Sequence, residues 1–178
     1  MVHRRRLLAR MLRHTFADSA WLALMLCVIA LLFRGFAWST LSEAAEFALV
    51  WFLLSALRAA WRVRSLVRAA RGLGIPVSES ALDRAQTYTL TGVPLSFVRA
   101  ELGAAPRASE VGDGNPLGFH WRPFRGRATA DGTVAFDESS GETRIEVRAG
   151  KGLTTDAPLN HGAVFLALCQ IVRTLEHR

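Results

Sequence analysis

Two apolar stretches closed off by arginines fill the first part of the chain, and they constrain its fold more than any other feature. The first covers residues 19–33, lies between Asp18 and Arg34, and holds 15 uncharged residues. As helix it measures about 22 Å at ~1.5 Å per residue. A bilayer core is ~30 Å thick and is crossed by ~20 residues. Phe16 and Ala17 at one end and residues 35–38 at the other make up the difference, with Arg34 reaching back to the interface. A span is therefore expected over about 16–38. Trp21 and Trp38 fall near its boundaries, where indole rings prefer to lie.

The second stretch is free of charge only over 47–57, between Glu46 and Arg58. A run that short reads more readily as a buried or interfacial helix. Topology supplies the case for a second span over about 44–63. Arg4, Arg5, Arg6, Arg10 and Arg13 precede the first stretch, while Arg58, Arg62, Arg64, Arg68 and Arg71 follow or close the second. Arginine-rich flanks stay cytoplasmic. One span would translocate one of these clusters, whereas two spans keep both inside. A signal peptide shares the basic start, but no small-x-small cleavage site follows Phe33.

The pattern inside the two stretches suits a hairpin. Ala20, Ala23, Cys27 and Ala30 form one small-residue face, and Ala45, Ala48, Ser55 and Ala59 form a rougher one. Small residues let helix backbones approach closely in lipid. Asp18 matches Arg58 in depth, and Arg34 matches Glu46, so that pairing would lower the cost of each charge. These residues equally suit a boundary where each reaches separately for water.

Charge is distributed unevenly. Residues 1–71 carry 11 arginines against three acids, and residues 72–178 carry ten arginines and Lys151 against 12 acids. The net +7 thus belongs to the membrane flanks, not to a basic soluble domain, and nucleic acid is not an expected partner. Anionic lipid is, at ~1 kcal/mol for each arginine near the leaflet. The lipid-facing set is Arg4, Arg5, Arg6, Arg10, Arg13, Arg62, Arg64, Arg68 and Arg71, with residues 1–15 as a basic amphipathic segment. Arginine in place of nearly all lysine, with many alanines and glycines, points to a high-GC bacterial source. The expected location is the bacterial inner membrane with both termini cytoplasmic. Cys27 and Cys169 are far apart in this plan, so neither a disulfide nor a CxxC site follows.

Residues 72–178 are expected to form a small cytoplasmic α+β domain. Gly72, Gly74 and Pro76 stop the second helix. A short helix is expected from Ser78 or Ser80 to about Ala85, extended chain over 88–91, and a helix over 94–102 with Leu95, Phe97, Val98 and Leu102 on its apolar face. Residues 103–116 read as a mobile loop. From Leu117 the period shortens to that of an antiparallel sheet of about three or more strands, with Asp131-Gly132 and Ser140-Gly141 as turn signals. Ile145 and Val147 alternate with Arg144, Glu146 and Arg148, one face buried and one wet. A last helix is expected from Asp156 to about Glu176. Its stripe of Val164, Leu168, Ile171, Val172 and Leu175 covers the sheet, and Cys169 lies near the edge of that stripe.

Candidate chemistry is sparse. His120, Trp121, Arg122, Arg125 and Arg127 form the densest polar-aromatic cluster and are the candidate ligand-binding residues. Guanidiniums hold phosphate or carboxylate through paired donors, and indole adds a stacking surface. The plainer reading is a wet sheet face whose arginines pair with Asp131, Asp137, Glu138, Glu142 or Glu146. His161 has neither the glutamate nor the second histidine of a zinc-protease helix, so no metal site, catalytic residue or cofactor is assigned. A non-enzymatic membrane-anchored interaction or assembly protein is the leading expectation, a homo-oligomer or a subunit of a membrane complex. An oligomeric membrane effector that senses an anionic ligand is the alternative. A membrane-bound enzyme using His120 or His161 ranks third.

Overall fold

The computed structural model describes residues 2–34, 38–153 and 162–176. The chain divides into two compact units, Met1–Ser65 and Leu66–Arg178. Two long helices dominate the first: α1, Val2–Arg34, and α2, Trp38–Ala70, whose last turn belongs to the second unit. Neither contains glycine or proline, and Gly35 is the first glycine of the chain. The basic segment expected over 1–15 is therefore not a separate element, since α1 runs through it without a break. At ~1.5 Å per residue each helix extends about 50 Å. The helices lie side by side, with Phe16 meeting Phe52 edge to face at 5.5 Å between ring centroids.

Apolar length favours the second helix, the reverse of the order expected from its short uncharged core. Among the described residues Ser42–Ala70 is the one helical segment long and apolar enough to cross a membrane, and Ala23–Phe33 is a shorter apolar stretch. The small-residue faces are also placed more finely. Ala23, Cys27 and Ala30 are half-buried, but Ala20 is exposed. On α2, Ala44, Ala48, Ser55 and Ala59 are the more buried set, and Ala45 is exposed. The side chains of Asp18 and Arg34 lie outside the described residues, so the two proposed charge pairings do too. Glu46 and Arg58 are exposed.

The second unit is built on a five-stranded antiparallel sheet. Its strands are β1 (Ala85–Thr91), β2 (Ala108–Ser109), β3 (Leu117–Trp121), β4 (Ala130–Asp137) and β5 (Glu142–Ala149), in the spatial order β1-β5-β4-β3-β2. α2 ends where Gly72 and Gly74 adopt positive φ, at 87° and 64°, a conformation glycine enters without penalty. The short helix expected after Ser78 is a single 3-10 turn, Glu79–Leu82. Leu95–Ala104 forms α3 and buries Val98 and Leu102. The 103–116 loop carries β2 within it.

Asp131 and Gly132 do not form a turn; they lie inside β4, opposite His120 and Phe119. Gly132 is needed there because the Phe119 ring crosses the space a Cβ would fill. The β3–β4 connection is instead 122–129. The expected turn at Ser140-Gly141 is present, closed by Gly141 N–H donating to the Asp137 carbonyl at 2.8 Å.

One sheet face is buried and one is wet. Leu117, Phe119, Trp121, Val134, Ile145 and Val147 point inward. α4, Ala163–Glu176, packs on β1 and β5 and against α3, burying the expected stripe of Val164, Leu168, Ile171, Val172 and Leu175. Cys169 is inside this core and not at its edge. The two buried polar side chains among the described residues are satisfied: Gln86 donates to the Ser80 carbonyl, and Thr143 donates to the Val93 carbonyl.

Candidate functional site

Strand alternation disperses the expected His120–Arg127 cluster. Trp121 points into the core at 2 % exposure, its indole N–H donating to Gln170 Oε1 at 2.9 Å. His120 points to the wet face, where Nδ1 meets Asp131 Oδ1 at 2.7 Å and Nε2 meets Glu110 Oε2 at 3.1 Å. Asp131 keeps this position because Gly150 leaves the space its carboxylate fills. Both imidazole nitrogens are thus engaged within the domain, and neither is left for a substrate proton. Arg122 donates to the Pro106 carbonyl at 3.1 Å. Arg125 and Arg127 are exposed on the β3–β4 connection, with no hydrogen bond or ion pair among the described residues. The wet face is only partly the expected network of paired arginines. Arg148 pairs with Glu146 at 2.6 Å, but Asp131 takes His120 as its partner.

Trp121 belongs to a different constellation. A cleft of about 430 Å³ is lined by Glu101, Ala104, Ala105, Pro106, Arg107, Trp121, Gln170, Arg173 and Thr174. Its floor is tied together by Gln170, which accepts from Trp121 and donates through Nε2 to the Pro123 carbonyl at 3.3 Å. Arg107 is held by a bond from Nη1 to the same carbonyl at 3.1 Å. Arg173 donates to the carbonyls of Ala69 and Arg71 at 2.8 and 3.3 Å, satisfying acceptors that the end of α2 leaves open. Neither guanidinium is paired with a carboxylate among the described residues, although Glu101 stands in the same lining. Two fixed guanidiniums beside an apolar floor suit a carboxylate or phosphate on an apolar body.

The cleft's lining holds no cysteine or histidine, and its Thr174 hydroxyl donates to the Gln170 carbonyl at 3.0 Å. Burial among apolar side chains pushes the neighbouring Cys169 thiol up to about 12, so it stays protonated. No group of histidines, cysteines and carboxylates able to hold a metal occurs among the described residues. His161 lies outside them. Arg107, Gln170 and Arg173 carry no local signal in the sequence. Arg107 is distant along the chain from Gln170 and Arg173, and the packing of α4 against α3, with the bond from Trp121 to Gln170, brings them together.

The basic residues at the helix ends are mostly turned outward. Arg6, Arg13, Arg64, Arg68 and Arg71 are exposed, and Arg10 and Arg62 are half-buried. The side chains of Arg4 and Arg5 lie outside the described residues. No family model, curated protein or solved structure matches the chain.

Proposed function

We propose that this chain is a membrane-anchored, non-enzymatic assembly protein. In this reading α1 and α2 form a transmembrane hairpin in the bacterial inner membrane, and the α+β unit works at the cytoplasmic surface. The observation that carries the reading is the placement of exposed apolar side chains. Among the described residues all the exposed large hydrophobic side chains fall between Phe16 and Trp61, and none falls after Leu66. Phe33 is 87 % exposed and Trp21 66 %. Water does not tolerate a continuous patch of that kind, and lipid does. The arginines at both ends of the helix pair favour cytoplasmic termini and an anionic leaflet. The engaged nitrogens of His120 and the protonated Cys169 favour binding over catalysis. Carbonate extraction followed by native mass measurement in lipid particles tests the reading. Retention in the membrane pellet and a defined assembly are expected. Release into the supernatant, or a strict monomer with no partner, overturns it.

The Arg107–Arg173 cleft favours a second reading, a membrane effector that senses an anionic ligand. It relocates the candidate ligand site from the His120–Arg127 run to this cleft. It predicts ligand-dependent dye leakage from vesicles, abolished by Ala23→Leu or Ala30→Leu at the half-buried small-residue face.

A further inference from the structure

The two edges of the sheet are unlike. One is β2, only two residues long. The other is β1, seven residues, Ala-Gln-Thr-Tyr-Thr-Leu-Thr, with no charge and no proline. Two bonds fix which backbone groups of β1 are free. Ala149 N–H donates to the Arg84 carbonyl, and Gly92 N–H donates to the Gly141 carbonyl. Antiparallel pairing alternates, so Gln86, Tyr88 and Leu90 bond to β5. Ala85, Thr87, Thr89 and Thr91 turn their N–H and C=O groups to the open side. No hydrogen bond on that side reaches any of these four among the described residues. Their side chains are exposed as well. Natural sheets protect such an edge with lysine, proline, a bulge or a very short strand. β2 is the short-strand case, and β1 has none of the four.

We infer that β1 is an assembly edge, and that its occupant is β1 of a second copy, antiparallel across a two-fold axis. This names the partner that the assembly reading requires, and it rests on that reading. The sequence of the strand matches itself. A two-fold axis at Tyr88 places Thr87 opposite Thr89 of the partner copy, Ala85 opposite Thr91, and Gln86 opposite Leu90. In this register every outward N–H and C=O finds a partner, giving about eight main-chain hydrogen bonds. Threonines face threonines across the junction, a favourable cross-strand pair, and no like charges oppose one another. Arg84 falls opposite Gly92, so the nearest charge is not set against its own copy.

Thr89→Pro removes an outward donor and leaves the β1–β5 ladder intact, because proline is tolerated where its nitrogen faces away from the sheet. Thr89→Lys places an edge charge on the exposed face and keeps the donor. The full chain and both variants are reconstituted in lipid particles at tens of micromolar and weighed by native mass spectrometry. Far-ultraviolet circular dichroism and carbonate extraction are run on the same samples. A dimeric wild type and monomeric variants with unchanged circular dichroism are expected. A monomeric wild type overturns the inference, and so does a dimer that persists in both variants. A dimer that persists in both variants leaves the assembly reading standing, whereas a strict monomer with no partner overturns that reading as well, so the two failures are told apart.

Discussion

Residues 1–65 and residues 66–178 use apolar side chains in opposite ways. Trp21 and Trp121 show the contrast in one residue type. Trp21 is 66 % exposed on α1, whereas Trp121 is 2 % exposed in the sheet core with its N–H bonded to Gln170. The second unit builds a closed core. It hides its apolar face under α4 and leaves charges and threonines on the other. The first unit leaves its apolar surface outward and turns small residues such as Ala23, Cys27 and Ala30 inward, which is the arrangement lipid rewards. Under the proposed membrane reading one chain carries patterning for two solvents, and a substitution has a different meaning on each side of Ser65.

The largest expected effect falls in residues 66–178. Trp121→Ala deletes a buried ring and leaves Gln170 Oε1 without its donor, and it should cost about 3–5 kcal/mol of stability by denaturant titration. Trp21→Ala should leave that transition unmoved. A substantial loss from Trp21→Ala breaks the contrast. In the proposed hairpin, Leu53→Arg sets a charge on an exposed site of α2 and should cost about 2.5–3.5 kcal/mol of membrane insertion. A glycosylation-based insertion assay reads it, and unchanged insertion argues against a span. Gly132→Ala forces the Phe119 ring to shift and should cost about 1–3 kcal/mol. If the variant keeps wild-type stability, the close approach across β4 is not real.

The smallest effects come from titration. Cys169, raised to about 12 by burial, contributes stability that is complete below the ordinary thiol value of ~8.5. That contribution erodes as pH rises toward the folded value. The native thiol should resist alkylation at pH 8 and react once denaturant unfolds the domain. Fast labelling of the native protein contradicts its burial. At the β4–β5 turn the Ser139 hydroxyl and N–H, and the Ser140 hydroxyl, hold the Asp137 carboxyl below its ordinary value. Its contribution is present above ~3.9 and is lost as pH falls through the depressed value. Asp137→Asn should flatten this acid limb of the stability profile.

The fold was readable wherever one period ran without interruption. Ile145 and Val147 against Arg144, Glu146 and Arg148 marked β5, and the 164–175 stripe marked α4. Asp131-Gly132 misled because the dipeptide that favours a tight hairpin also suits a crowded strand. Gly132 answers to Phe119 and Asp131 to His120, and both neighbours lie across the sheet. β2 is too short to carry a period. The continuity of α1 was open to view, since no glycine or proline occurs before Gly35. The basic residues drew attention to a boundary that the backbone does not observe. Proximity along the chain is also a poor guide to which side chains share a face. His120 and Trp121 are neighbours in sequence and leave opposite faces of β3, while the cleft draws Arg107 and Arg173 from separate elements.

The account depends most on the membrane topology of α1 and α2. Single-cysteine labelling in intact and permeabilised cells tests it directly, with Cys27 and Cys169 replaced and reporters placed at Ala37 and at each end of the chain. The account predicts that position 37 labels in intact cells and that both ends label only after permeabilisation. Ends on opposite sides of the membrane, or position 37 protected together with both ends, would contradict it.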